Sequence, residues 1–392
     1  MKFLFYRYGS ICEEDLIETF KEYGYEIVEY TKEIYNKNYS LKLAVKEVGN
    51  VMMKEQFDFV FSINFYPFLS ELCKVFKIRY ISWIVDSPVM ELYSSSITNS
   101  WNRTFIFDRA LYNEIKPLNP DCVFYLPLGA RLKNKDAIIE NASREDKDKF
   151  THDISFVGSL YTEKNPYTQK KEMSGFLDGY LEAIIRSQEW VYGYYFVEKL
   201  LEEKYVDEIK ENIDDFLELP GNNFLTDKRT LSQFYLGSEI TARERVDTVE
   251  KISNRFSFDI YTGSDTTKLP KVKNHGYAKT LTEMPLIFNN TKINLNMTSK
   301  MIRTGLPLRI FDIMSCKGFV LSNYQEEIFE EFENGEEIVT YSSPEEMVYL
   351  IEYYLQNDKR RKEIAENGYM KVKNEYTYEK RIEKMLIKSF EK

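Results

Sequence analysis

The chain has 392 residues, enough for two domains of ordinary size that each bury a core of their own. Its net charge is −10 at pH 7 and its Lys and Arg are scattered, which excludes the basic face of a nucleic-acid or anionic-membrane binder and points to an acidic soluble enzyme. Cys12, Cys73, Cys122 and Cys316 stand far apart without paired spacing, arguing against a zinc framework or disulfide scaffold and for a reducing, cytoplasmic compartment.

The opening stretch, Met1 to Gly9, meets charge and a glycine too early for a signal peptide, and no apolar run approaches the ~18 residues of a membrane span. Lys2 to Tyr8 reads as a strand, turned at Gly9 into a helix that Ser10 and Glu13 open as a capping box. Glu26 to Tyr30 is a second strand and Ser40 to Met53 a helix. Phe57 to Phe65 is then a near-continuous apolar run, suited to a buried parallel strand. It ends on Asn64, either a turn residue or a polar group delivered to the edge where α/β sheets hold ligands. Arg79 to Pro88 repeats the pattern and delivers Asp86. Two successive strands presenting a polar residue at one edge favour a site. Thr104 to Asp108 and Val123 to Gly129 continue the series, and Asp108 is equally suited to capping the helix that follows.

Arg131 to His152 contains the charged, aperiodic run Ser143 to Lys149 and reads as a linker. The expected division is 1–145 and 151–375. Asp153 to Leu160 opens a new sheet and turns at Gly158. Glu172 to Leu219 reads as one or two long amphipathic helices. Leu231 to Phe256 is another, opened by Thr230 and Gln233, and it carries Arg243 and Arg245, best read as solvated or ion-paired. Phe256 to Gly263 is a strand and Met284 to Asn289 a short helix or turn. The chain has two histidines, His152 and His275. Neither has a partner at metal-ligand spacing, so no metal is expected.

In Lys292 to Thr298 the apolar Ile293, Leu295 and Met297 alternate with Asn294, Asn296 and Thr298. Asparagine is a poor strand residue, so the polar face suggests a wall looking into a cleft. From Arg303 a turn at Gly305 leads to Pro307, suited to the first helical position, and the helix ends at Gly318 before the strand Gly318 to Ser322. Such a helix offers amides and a positive dipole end to a phosphate. Arg309 adds a forked donor set and Asp312, three residues on, points to the same side. The pair serves either a diphosphate beside a ribose or simply an i,i+3 ion pair. Glu336 to Tyr341 is a strand, Ser343 to Glu346 caps a helix over Glu345 to Leu355, and Asp358 to Lys373 is the next helix.

Pro307-Leu-Arg-Ile-Phe-Asp312 through Gly318-Phe-Val-Leu321, preceded by Lys292-Ile-Asn-Leu-Asn296, resembles the donor-binding half of glycosyltransferases with the GT-B fold, and within them the spore-maturation-protein-like group. Phe59 to Asn64, Trp83 to Pro88, Phe105 to Asp108 and Leu126 to Ala130 resemble the N-terminal domain of the same family. The resemblance implies an α/β fold of two Rossmann-like, doubly wound domains facing a cleft, with a helical insertion in the second and the stretch 376–392 rejoining the first. It implies that Arg309 meets the donor diphosphate, with Arg303 and Gly305 in the turn before it. Asp312 stands where relatives have a ribose-binding Glu, Gly158 lies near the diphosphate, and His275-Gly276 begins a loop that holds base and ribose. Asp86 is the first choice for a general base on the acceptor hydroxyl and Asp108 the second. One departure is Thr304, where many retaining relatives carry a Glu.

The activity implied is metal-independent transfer of a sugar, such as N-acetylglucosamine from a UDP-linked donor, to a hydroxyl of flagellin, a spore-surface protein or a glycan. No cofactor, nucleic acid or membrane span is expected. A same-fold epimerase or hydrolase would need no acceptor, and a silent sugar-nucleotide-binding protein would form no product.

Overall fold

Two six-stranded, wholly parallel sheets organise the chain, which is described here from a computed structural model covering residues 1–391. The chain divides into two compact units. The first comprises Met1–Arg131, Leu219–Leu225 and the chain from Tyr376 onward; the second comprises Leu132–Glu218 and Thr226–Glu375.

The first unit runs β1 (Lys2–Tyr6), α1 (Glu13–Glu22), β2 (Glu26–Tyr30), α2 (Lys32–Tyr35), α3 (Leu41–Lys54), β3 (Phe59–Ile63), α4 (Pro67–Phe76), β4 (Arg79–Trp83), β5 (Asn102–Ile106), α5 (Arg109–Ile115) and β6 (Val123–Tyr125). Its strand order is β2-β1-β3-β4-β5-β6. Strands such as Phe59–Ile63 are buried throughout because helices cover both faces of a parallel sheet. Phe3 stacks on Phe59 across β1 and β3, with ring centroids 4.6 Å apart. The capping box expected from Ser10 and Glu13 does not form: α1 is capped by Cys12 without a side-chain bond. Glu13 is buried instead, accepting from the amides of Tyr8 and Gly9 at 3.0 Å and pairing with Arg7 at 3.0 Å.

The second unit begins with α6 (Lys133–Asn141) and α7 (Arg144–Lys149), so the stretch read as a linker is helical, and Ser143 with Asp146 forms a capping box there. Then come β7 (His152–Val157), α8 (Gly175–Glu189), α9 (Val197–Leu200), α10 (Glu203–Glu211), α11 (Asp227–Thr230), a π-helical turn (Leu231–Leu236), α12 (Gly237–Ser253) and β8 (Phe258–Tyr261). β9 (Lys273–Asn274), α13 (Met284–Asn290), β10 (Thr291–Asn296), α14 (Leu308–Ser315), β11 (Val320–Asn323), α15 (Ile328–Glu331), β12 (Val339–Tyr341), α16 (Pro344–Gln356) and α17 (Asp358–Glu375) complete it. The strand order is β12-β11-β10-β7-β8-β9.

The long helices expected over 172–219 break into α8, α9 and α10. Gly193, at φ +74°, turns the chain after α8, and an added Cβ there would lie 2.3 Å from the Tyr324 ring. Beyond α10 the segment Leu219–Leu225 leaves this unit and packs on the first, where the Phe224 amide donates to the Tyr93 carbonyl at 2.7 Å. The cap expected from Thr230 is made by Thr226.

The last helix, α18 (Tyr378–Phe390), belongs to the first unit. The Ala130 amide donates to the Tyr376 carbonyl at 2.9 Å, and Tyr378 meets Trp83 edge-on at 5.5 Å. This approach leaves no room beside Gly129, where a Cβ would lie 2.2 Å from the Tyr376 oxygen. Gly129→Ala should therefore loosen α18 from the first unit by about 1–3 kcal/mol. Faster amide exchange across Tyr378–Phe390 would register it, and unchanged protection there would refute it.

Candidate functional site

In the second unit the strand order reverses between β7 and β10, and open α/β sheets form their ligand crevice beyond the C-terminal ends of the strands at such a switch point. Arg245, from α12, spans it: the guanidinium donates to the Ser159 carbonyl at 2.5 Å and to the Met297 carbonyl. It also lies 4.8 Å from the centroid of the Tyr161 ring. Arg245 is buried, its Nε has no hydrogen-bond partner, and burial holds its pKa below the ordinary arginine value. The expected solvated or ion-paired role applies to Arg243, which meets Glu239 at 2.6 Å and Glu182 at 2.9 Å, and not to Arg245. Sequence spacing places both on one helix and cannot say which points inward.

The ends of β10 and β11 are clamped by Asn323, whose Oδ1 accepts from the Thr298 amide at 2.8 Å and whose Nδ2 donates to the Thr298 carbonyl at 3.1 Å. The loop that follows turns Lys300 inward, its Nζ 3.9 Å from the centroid of the Tyr192 ring and 3.1 Å from the Val191 carbonyl. Arg303 lines a small recess with Tyr195, Lys300, Tyr324 and Gln325. Gly305 is buried beside Thr304, whose hydroxyl donates to Glu327 at 2.7 Å. A carboxylate thus does lie against position 304, contributed by a residue 23 positions further on, where no motif in the sequence pointed.

Pro307 is the cap of α14 rather than its first residue, and no side chain caps this terminus, so its dipole end faces the loop. Arg309 and Asp312 form the i,i+3 pair, with Nη1 and Oδ2 3.4 Å apart. Lys135 of α6 joins them, donating to Asp312 at 2.8 Å; it comes from the stretch read as a linker, where nothing marked it. Arg309 rests on Phe288 at 5.3 Å and on the Met284 sulfur at 3.4 Å. About a fifth of each side chain stays exposed, 19% for Arg309 and 20% for Asp312, while burial holds the Arg309 pKa below the ordinary arginine value.

Asn294 and Asn296 do not look into a cleft. Asn294 is buried and donates to the carbonyls of Phe288 and Phe319, and Asn296 donates to Thr298 and Ser322, both at 2.9 Å. The polar face of β10 is an internal hydrogen-bond seam. Gly158 sits at the crevice, where a Cβ would press on the Phe156 ring at 3.0 Å. Gly276 takes φ +74° in the loop after β9. His275, just before it, is turned to the buried Asp259, with Nε2 2.8 Å from Oδ1. His152 also reaches this carboxylate, with Nδ1 3.4 Å from Oδ1. In sequence neither histidine has a partner at metal-ligand spacing; in the fold the two converge on Asp259.

In the first unit the order reverses between β1 and β3, and Asn64 stands at the end of β3 with φ +57°. Its Nδ2 donates to Asp86 at 2.7 Å and to the Tyr8 hydroxyl at 3.2 Å, while its Oδ1 accepts from the Val85 amide at 3.1 Å. Asp86 is exposed, and this grip fixes the direction of its carboxylate. Tyr8, which the sequence did not single out, has its pKa raised by burial and by Asp86, so it stays a protonated hydrogen-bond donor. Asp108 does not share the edge as a free base: it is buried, accepts from the Ala110 amide at 3.1 Å and from Ser87 at 3.0 Å, and caps α5. All four cysteines are buried free thiols, and burial pushes Cys12 and Cys316 up to about 12.

Two parallel sheets with helices on both faces, in these strand orders, define the α/β architecture of GT-B glycosyltransferases. Solved structures share it. Anabaena HepE, determined with UDP-glucose, aligns over 98% of both chains at 10% identity and a TM-score of 0.55. A glycosyltransferase from Rickettsia africae covers 100% of this chain and 99% of its own at 11% identity and a TM-score of 0.55. Sucrose-phosphate synthase from Thermosynechococcus elongatus covers 100% and 99% at 8% identity, also with a TM-score of 0.55. At such identities the likeness is one of fold. In sequence, residues 242–387 match the family model described as glycosyl transferase-like, a span that includes Arg245, the loop after β10 and α14. No curated protein matches the sequence. Among the described residues, no helix is long and apolar enough to cross a membrane.

Beside Arg243, Glu189 has its pKa raised to about 7 by burial, against the pull of Arg243. The folded state keeps a proton that the unfolded chain releases above its ordinary value of 4.5, so this residue lowers stability as pH rises from about 4.5 to about 7. Glu189→Gln should raise the melting temperature at pH 8 and leave it unchanged at pH 4. An equal gain at both values would show that the benefit is not electrostatic.

Proposed function

We propose that the chain is a glycosyltransferase of the spore-maturation-protein-like group that moves a sugar from a UDP-linked donor, such as UDP-N-acetylglucosamine, to a hydroxyl of a protein or glycan acceptor, with flagellin or a spore-surface protein as the protein class. The observation that carries this reading is the second unit's crevice. Arg245, which bridges the switch point, and an uncapped helix terminus with Arg309 in its first turn fall within the glycosyl transferase-like span. The diphosphate lies at the turn Arg303 to Pro307, where the α14 dipole and Arg309 stabilise charge on the departing nucleotide without a metal. Asp312 leaves Lys135 or Arg309 to accept a ribose hydroxyl. Gly158 admits the phosphates to the backbone, and the loop from His275-Gly276 contributes backbone groups to the nucleoside. In the first unit Asp86, aimed by Asn64 and Tyr8, takes the acceptor proton, and direct attack inverts the anomeric carbon.

A thermal-shift screen against nucleotide sugars tests donor binding, since a ligand of the native state raises the melting temperature by mass action. Arg309→Ala should lower turnover about 10²–10³-fold, and Arg309→Lys should recover only part of it. Near-normal turnover of Arg309→Ala would remove the assignment. Asp86→Asn should depress turnover while leaving donor affinity within about twofold of the parent; calorimetry showing lost donor affinity would move Asp86 to the donor side.

A further inference from the structure

The two histidines of the chain converge on one carboxylate oxygen. His152 begins β7, Asp259 lies in β8 and His275 follows β9, so three segments distant in sequence each supply one group. Their ligand atoms all lie within 4.8 Å of one another. Asp259 Oδ1 is 2.8 Å from His275 Nε2 and 3.4 Å from His152 Nδ1. Bonds of about 2.0–2.2 Å around a tetrahedral ion set neighbouring ligand atoms about 3.3–3.5 Å apart, so small side-chain shifts suffice to seat one.

We propose that His152, Asp259 and His275 form a binding site for a divalent transition metal of the zinc class. The outer contacts fit a ligating role. The other nitrogen of His152, Nε2, lies 2.8 Å from the Tyr261 hydroxyl, which fixes the ring with Nδ1 toward the carboxylate. A partner on the second ring nitrogen is the usual companion of a metal-bound imidazole. Tyr261 also stacks on the His275 ring, with centroids 4.8 Å apart, so the same side chain steadies both ligands. His152 and Asp259 are buried, whereas His275 keeps 38% of its side chain exposed, which provides an entry path and room for a water as fourth ligand. Two imidazoles and one carboxylate suit zinc, cobalt or nickel better than magnesium or calcium, which take all-oxygen shells.

The site's role is structural. Bound metal pins the loop that starts at His275 to the sheet. Metal binding does not rest on the transfer reaction proposed above: that reading uses only backbone groups of the loop from His275-Gly276, and metal uptake is measured with neither donor nor acceptor present, so either can fail alone.

The 392-residue chain, stripped with a chelator, is titrated with Zn²⁺ alone and with Co²⁺ alone. One equivalent per chain, a raised melting temperature and the intense visible absorption of four-coordinate Co²⁺ are expected. His275→Gln, at the exposed ligand and so least disruptive to folding, should abolish stoichiometric uptake. Tyr261→Phe should keep the site but weaken it about 10–100-fold. Failure of the stripped parent to take up an equivalent of either metal would overturn the proposal. So would undiminished affinity in a folded His275→Gln, which would assign the metal to some other surface group.

Discussion

The second unit depends on the contact between Arg245 and the two strand ends it joins. Where a parallel sheet reverses its order, helices depart to opposite faces and leave carbonyls at the strand ends with neither a strand nor a helix to pair with. One guanidinium answers both, because its donors are planar, forked and permanently charged. The same choice places a buried positive charge at the floor of the crevice. A neutral donor such as glutamine could bond one carbonyl without supplying that field, and a hydrophobic residue would orphan both.

The two units use their edges for opposite electrostatic ends. In the first, the amides of the opening strand-to-helix turn are taken up by the unit's own Glu13, which Arg7 neutralises. An internal carboxylate occupies the position an anion would take, and the groups left at the edge are Asn64, Tyr8 and Asp86, suited to holding a hydroxyl and accepting a proton. In the second, Arg245 and Arg309 stand near the ends of β7 and β10 and the start of α14, suited to a phosphate, while the charge of Lys300 is met by the buried Glu244 at 3.4 Å.

Much of this was legible in sequence because strands buried on both faces and capped helices carry local signals. Glu26 to Tyr30 was read with its true ends, Ser343 caps α16 as expected, and the pattern around Asn64 and Asp86 located the first unit's edge. Long-range contacts left no such signal. An alternating strand with two asparagines reads the same whether its polar face meets a cleft or an internal seam. Asp108 suits a base or a helix cap equally in sequence, and only the fold shows its carboxylate holding the amide of Ala110 as a cap. The charged stretch before His152 lacks apolar periodicity because its helices are short and exposed, so it read as a linker although it carries Lys135.

By itself the sequence determined most of the individual strands, the helix that begins after Pro307 and the residue types at its start, since each follows from periodicity, turn chemistry and propensity within a short window, whereas the gathering of the strands into two sheets was implied by the family resemblance. Which side chains meet was decided only by tertiary structure. Arg243 and Arg245 are two positions apart, yet one is an ion pair and the other the floor of the crevice, because a helix turns 100° per residue and only packing says which face is covered. His152, Asp259 and His275 acquire a common oxygen only through the order in which β7, β8 and β9 lie side by side, and strand order is set by the burial of the whole sheet rather than by any local pattern.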